Sequence, residues 1–181
     1  SIGRVMDEVV LLSPDGEEIG RAPKAAVHGA DTPLHLAFSC YLHDDRGRIL
    51  VTRRALEKRS WPGVWTNSFC GHPAPGEPVA DAVRRHARHE LRIEIGDLAL
   101  ELPLFRYRAV DPAGVVEHEV CPVYSARALT PLAPSPHEVM EYAWAEPAQL
   151  AAATRATPWA FSPWLVLQVE LLDFFRLEDA A

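Results

Sequence analysis

The chain has 181 residues, a formal net charge of −7, and a composition that is 48% apolar and 24% charged. That length suits one domain with a sizeable core, and the composition excludes a disordered chain. The acidic balance argues against general nucleic-acid binding, which requires a basic face, but leaves room for a locally basic pocket that takes a small anion.

Cys40, Cys70 and Cys121 are odd in number and scattered, so no disulfide framework is expected and a reducing compartment is. No basic segment followed by an apolar run opens the sequence. The longest uncharged apolar stretch, near 158–169, falls short of the ~20 residues needed to cross a bilayer. The expectation is a cytoplasmic protein without membrane contact. Lys24 and Lys58 are the only lysines; the rest of the basicity is arginine.

In chain order, 5–12 is an apolar run that reads as a strand, followed by the turn residues Pro14-Asp15-Gly16. Residues 19–27 are less regular, with Pro23 opposing a long helix. After Asp31-Thr32-Pro33, 35–42 reads as a buried strand, Asp44-Asp45-Arg46-Gly47 as a hairpin turn, and 49–52 as the return strand. Arg53, Arg54, Lys58 and Arg59 lead into the aromatic turn Trp61-Pro62-Gly63-Val64-Trp65. Val79, Ala82, Val83, Ala87 and Leu91 form one stripe of an amphipathic helix over 79–91, with Pro78 in its first turn.

Residues 98–108 and 115–126 read as two long strands joined by Asp111-Pro112-Ala113-Gly114. Pro131, Pro134 and Pro136 mark an irregular connection. A strand over 139–144, a short helix over 146–153 and a last helix over 163–177 complete the chain. No repeat or linker divides it. The fold class is α/β in the α+β sense: one domain over 1–181, with a mixed, mainly antiparallel sheet flanked by helices. Its first 35 residues hold a strand and potential ligands.

The segment 61–90 gathers the chemistry. By itself Cys70 reads as a small buried hydrophobe, and His28 and His35 as satisfied histidines. Glu117 and Glu119, however, lie at i and i+2 of a predicted strand and so share a face. Apolar Val115, Val116, Val120 and Val123 bury that strand, where two unpaired carboxylates would be costly. With His28, His35 and His72 they make a plausible octahedral site for Mn²⁺ or Mg²⁺, with zinc a competitor. Gly71, Glu77, Arg85 and Glu90 keep the frame of a Nudix box, but His86 and His89 stand where its hydrolases carry further glutamates. An imidazole does not replace a carboxylate on a hard cation.

Taken together, TRRALEKRSWPGVWTNSFCGHP, FRYRA, VEHEVCP and ATPWAFSPW resemble the type I isopentenyl-diphosphate Δ-isomerases of the Nudix superfamily, over roughly residues 9–169. The resemblance implies a Nudix-like fold and these roles. Cys70 and Glu119 are the catalytic pair, with Tyr107 supporting Glu119. His28, His35, His72, Glu117 and Glu119 hold one Mn²⁺ or Mg²⁺. Glu90 holds a second Mg²⁺ carried by the substrate. Lys24, Arg54 and Lys58 contact the diphosphate, and Trp164 faces the hydrocarbon. His86 departs from the basic residue found there in some relatives.

The implied reaction interconverts isopentenyl and dimethylallyl diphosphate through a tertiary carbocation, with an acid and a base on opposite sides of a flat hydrocarbon. Family analogy has Glu119 donate the proton and a Cys70 thiolate accept one. No flavin or nicotinamide is expected, since GxGxxG is absent. The alternatives are a Nudix-type diphosphohydrolase and a non-catalytic diphosphate-binding regulator.

Overall fold

The computed structural model describes residues 7–176. Val5 and Met6 of the first expected strand, and Leu177 at the end of the last expected helix, lie outside them. β1 (Glu8–Leu12) and β2 (Glu18–Pro23) form an antiparallel hairpin. Its turn uses Gly16 at φ 83°, a conformation open to glycine at little cost. The irregular stretch expected over 19–27 is instead strand through Pro23 and then one helical turn, α1 (Lys24–Val27). Pro23, with φ −59°, suits the entry to that turn.

The expected strand 35–42 is two strands, β3 (His35–Leu36) and β4 (Phe38–His43). β5 (Ile49–Arg54), β6 (Trp65–Thr66) and β7 (Phe69–Gly71) follow. The expected helix 79–91 is α-helical only as α2 (Val79–His86), then widens into a π turn over Ala87–Leu91. It ends at Arg92 in the left-handed region, φ 51°. Residues 98–108 are likewise divided, between β8 (Ile95–Leu102) and β9 (Arg106–Val110), and 115–126 between β10 (Val116–Val120) and β11 (Val123–Ala128). β12 (Val139–Ala145), α3 (Pro147–Ala156) and α4 (Pro163–Val169) close the fold.

These divisions create two sheets. The first has strand order β2-β1-β3-β10-β9 and the second β12-β5-β4-β11-β8, with β6 beside β5 and β7 beside β4. Pairing is antiparallel except β3 with β10 and β4 with β11. Three neighbouring strands break at one level: at Ala37, at Cys121–Pro122 and at Pro103–Phe105. Ala37 N donates to Val120 O and Cys121 N to Phe105 O across the break. Pro122 and Pro103 offer no ladder N–H there, which is why runs that look continuous in sequence pass from one sheet to the other.

β4 is buried on both faces. Phe38, Cys40 and Leu42 pack with Ala82, Val83, Ala87 and Leu91 of the α2 helix and its π turn. Tyr41 packs on the other face with Leu150, Leu165, Val169 and Phe175. Helices therefore cover both faces of the second sheet. α4 has seven residues, too few to hold a helix alone. Ser162 Oγ accepts from Leu165 N at its start, and burial of Trp164, Leu165 and Val169, about 1.5–3 kcal/mol each, stabilises it.

The last helix, expected over 163–177, ends at Val169. A turn and a 3₁₀ segment at Asp173–Phe175 then return Leu172 and Phe175 to the core. Apolar spacing keeps the helical period across a backbone that does not, so spacing alone could not locate the end.

Candidate active site

Residues of both sheets line a cavity of about 620 Å³. Cys70, His72, Glu117, Glu119, Tyr107 and Trp164 form its inner wall. Lys24, Arg54, Lys58 and Arg59 also line it and give it a basic side within an acidic chain. Of the catalytic, substrate-binding and metal-ligand candidates named in the sequence, His35 alone does not line the cavity: it is fully buried behind the wall.

Glu119 sits at the centre of three strands. In the parallel register it opposes His35 of β3, and in the antiparallel register Tyr107 of β9. Opposed residues share a face, so both side chains reach the carboxylate. Tyr107 Oη donates to Oε1 at 2.5 Å, while His35 Nε2 and His72 Nε2 lie 3.1 and 2.9 Å from Oε2. His72 follows Gly71 directly at the end of β7, and His28 follows α1.

Donor atoms of His28, His35, His72 and Glu119 all lie within 4.8 Å of one another. Glu117 stands outside that group of four but beside it, with Oε2 2.9 Å from His28 Nε2 and Oε1 accepting from Ser60 Oγ. Nitrogen and carboxylate donors gathered in this way fit a divalent metal. His35 Nδ1 donates to Pro33 O at 2.9 Å, the outer contact that leaves Nε2 free to ligate. His72 Nδ1 is buried without a hydrogen-bond partner among the described residues, so its ring is held from the Nε2 side.

Charge states follow from these contacts. Burial would raise the Glu119 carboxyl, but hydrogen bonds from His35 and His72, and the charge of His35, outweigh it and hold it well below the usual carboxylate range. Burial pushes the His72 imidazole down to about 4 despite Glu119, leaving it neutral. Burial drives the Cys70 thiol up to about 11, partly offset by Ser39, Asn67 and Arg54. Without a cation beside them, these contacts favour a protonated Cys70 and a charged Glu119.

Cys70 is tied to the aromatic wall through Asn67, which sequence reasoning missed. Asn67 is fully buried, and its Oδ1 accepts from Thr66 Oγ1 at 2.9 Å, Trp164 Nε1 at 3.0 Å and Cys70 Sγ at 3.3 Å. The available signal was an amide inside a run that otherwise reads as buried, where it must find partners. The Trp164 ring lies 5.7 Å from both Tyr107 and Trp61, and the Arg54 guanidinium carbon stands 5.2 Å over it. One face of the indole thus already meets a cation. Arg54 also donates to Ser60 O and Trp61 O, while Lys58 is paired with Glu138 at 2.5 Å. Trp61 has φ 42°, a costly value for a bulky residue, and its N–H is held by Asp111.

The Nudix-box frame keeps its architecture. Glu77 receives two hydrogen bonds from Arg85, at 2.7 and 2.8 Å, and one from Ala74 N. Gly71 is required because a Cβ there would stand 2.6 Å from the His86 ring. His86 is buried, with Nδ1 3.2 Å from Glu90 Oε1 and Nε2 3.4 Å from His72 O. It thus bridges Glu90 and the His72 backbone and does not line the cavity, whereas Glu90 does.

The profile of the NUDIX domain matches residues 33–165. The chain is 65% identical over 166 residues to the isopentenyl-diphosphate Delta-isomerase of Agromyces mediolanus, covering 92% of this chain and 81% of that one. It is 54% identical over 167 residues to the isopentenyl-diphosphate Delta-isomerase of Klebsiella pneumoniae subsp. pneumoniae, covering 92% and 91%. Among solved structures, a protein from Deinococcus radiodurans superposes with a TM-score of 0.69 at 21% identity, covering 91% of this chain and 98% of that one. A MutT NUDIX hydrolase from Burkholderia pseudomallei gives 0.58 at 24%, covering 76% and 97%. Likeness at those identities speaks to the fold alone. High identity over most of the chain to the named isomerases, on a Nudix domain, places this chain in the isopentenyl-diphosphate Delta-isomerase family.

Proposed function

We propose that this chain interconverts isopentenyl diphosphate and dimethylallyl diphosphate. The observation that carries the reading is one cavity joining a thiol, a carboxylate, an indole ring and a basic side. Cys70 and Glu119 act as the acid–base pair: one gives a proton to the alkene, the other takes one from the neighbouring carbon, and the reverse reaction exchanges the roles. Tyr107 orients Glu119. Trp164 presents its π-face to the positive charge that develops on the hydrocarbon, and the buried wall keeps water from it. Lys24, Arg54 and Lys58 bind the diphosphate without cleaving it.

His28, His35, His72, Glu119 and the adjoining Glu117 would hold one Mn²⁺ or Mg²⁺, and Glu90 with the diphosphate a second Mg²⁺. Such cations supply charge that fixes the carboxylates and neutralises the phosphates. His35 and His72 contribute by locking the Glu119 carboxylate in place. No part of this chemistry calls on a flavin or a nicotinamide, a nucleic acid or a membrane. Three free cysteines suit the reducing cytoplasm, and no helix among the described residues is long and apolar enough to cross a membrane. The reading treats 1–181 as one isomerase domain.

A Nudix diphosphohydrolase is disfavoured by the helix itself. Glu77 is neutralised by Arg85, and Glu90 is the one carboxylate of α2 and its π turn that lines the cavity. The test is incubation of the chain with isopentenyl diphosphate and Mg²⁺ in deuterated water. Isomerisation places deuterium on carbon in the recovered diphosphates and releases no phosphate. Release of phosphate with no carbon-bound deuterium would assign the hydrolase.

A further inference from the structure

α4 carries an uncharged amide, Gln168, at a fully buried position, where an unpartnered polar group is costly. Tyr41 Oη, also fully buried, donates to Gln168 Oε1 at 2.6 Å. That contact assigns the carbonyl end of the amide, so Gln168 Nε2 faces Ser39 Oγ and donates at 3.0 Å. Ser39, fully buried on β4, then has one hydrogen left to give and two sulfurs in reach: Cys121 Sγ at 3.3 Å and Cys70 Sγ at 3.5 Å. On the far side of Cys70, Sγ donates to Asn67 Oδ1 at 3.3 Å. The Asn67 amide is itself fixed, because Nδ2 donates to Phe69 O at 2.8 Å and Cys40 O at 3.1 Å. The donors from Tyr41 to Gln168 to Ser39, and from Cys70 to Asn67, therefore run one way, and the Ser39 hydroxyl stands between two sulfurs.

We infer that Ser39, aligned by Gln168 and Tyr41, is a positioning residue for Cys70, turning its single hydroxyl hydrogen between the Cys121 and Cys70 sulfurs. While Cys70 holds its proton, that S–H is given to Asn67 and the Ser39 hydrogen rests on Cys121. During the part of the cycle in which the Cys70 proton is on the substrate carbon, the electron pair stays on Sγ, and the Ser39 hydrogen turns to it. The exchange needs rotation about one C–O bond and no movement of a heavy atom, which suits a buried site that is already close-packed. Gln168 makes the device directional: it turns an N–H and not its carbonyl to Ser39, so the acceptors left for the hydroxyl hydrogen are the two sulfurs. Sequence reading gave no role to Ser39, Cys121, Gln168 or Tyr41. The inference rests on the acid–base role of Cys70 proposed above.

The experiment compares the full chain, assayed with Mg²⁺ and isopentenyl diphosphate, with Ser39→Ala, Ser39→Thr and Tyr41→Phe. Ser39→Ala is expected to lower kcat by about 10- to 100-fold, the scale of one hydrogen bond to a charged group. KM should stay within about twofold of the parent. Ser39→Thr, which keeps the hydroxyl, should recover most of the loss. A merely structural serine would give the opposite pattern: a lowered melting temperature with kcat retained, or no recovery in threonine.

Should Ser39→Ala fail to fold, Tyr41→Phe decides. It leaves Ser39 in place but frees Gln168 to turn its carbonyl to the hydroxyl, and a several-fold fall in kcat at constant KM is expected; unchanged kcat overturns the inference. An inactive parent chain would defeat the isomerase reading. An active parent with Ser39→Ala at full kcat would defeat this inference alone.

Discussion

Tyr107 and Glu119 are directly opposed on β9 and β10, and the phenol hydroxyl donates to Oε1 at 2.5 Å while two histidines hold Oε2. One carboxylate thus meets a phenol hydroxyl through one oxygen and two imidazoles through the other.

Tyr107→Phe removes that hydroxyl and keeps the ring against Trp164. It should lower kcat by about tenfold or more with little change in KM, and cost about 1–3 kcal/mol of stability because a buried acceptor loses its donor. Steady-state kinetics and denaturant unfolding check both; a stability loss with intact kcat would make Tyr107 structural only.

The four-donor cluster predicts stabilisation by metal. Added Mn²⁺ or Mg²⁺ should raise the melting temperature with concentration, since ligand that binds only the folded state shifts the equilibrium. His72→Asn should abolish that dependence and lower bound metal and turnover together. Full metal content in the variant would mean that the ligands are misassigned.

Trp164→Phe keeps a ring but weakens the quadrupole. Turnover should fall while affinity for the neutral alkene substrate changes little. A cationic ammonium analogue of the carbocation should lose more binding than the substrate does. Equal losses for both ligands would place Trp164 in the core alone, a position its buried indole and its Asn67 hydrogen bond would also suit.

Acid should act through Glu77. Burial would raise this carboxyl, but the Arg85 hydrogen bonds and the Ala74 N–H hold it below its ordinary value of 4.5. Because the folded value is the lower one, the pair stabilises fully above pH of about 4.5, and that contribution is lost as the pH falls through the folded value. Glu77→Gln should remove on the order of 1 kcal/mol at pH 7 and flatten this part of the acid dependence, read from denaturation midpoints between pH 7 and 3. An unchanged slope would show that the ion pair contributes nothing.

Spacing pointed to the histidine and glutamate cluster, and the family resemblance to Cys70, Tyr107 and Trp164. Cys70, His72, Glu117, Glu119, Tyr107 and Trp164 do meet at one cavity, though they come from four separate stretches of the chain. The sheet breaks were only partly legible. Pro103 and Pro122 were visible, but the runs on either side are strand-like, and nothing local says that a strand changes sheet. The end of α4 was hidden because Leu172 and Phe175 keep a helical period outside the helix. Asn67, Ser39 and Gln168 were missed for a different reason: their meaning is a set of partners brought from distant segments, and no single stretch carries that.

The most direct measurement is the product formed from isopentenyl diphosphate and Mg²⁺ by the parent chain and by Cys70→Ser, followed by proton NMR and a phosphate assay. The account predicts dimethylallyl diphosphate without phosphate from the parent. Cys70→Ser, folded and still stabilised by metal, should lose well over tenfold in turnover, more than ~1.4 kcal/mol in barrier. Phosphate as the product, or a serine variant that turns over as fast as the parent, would contradict it.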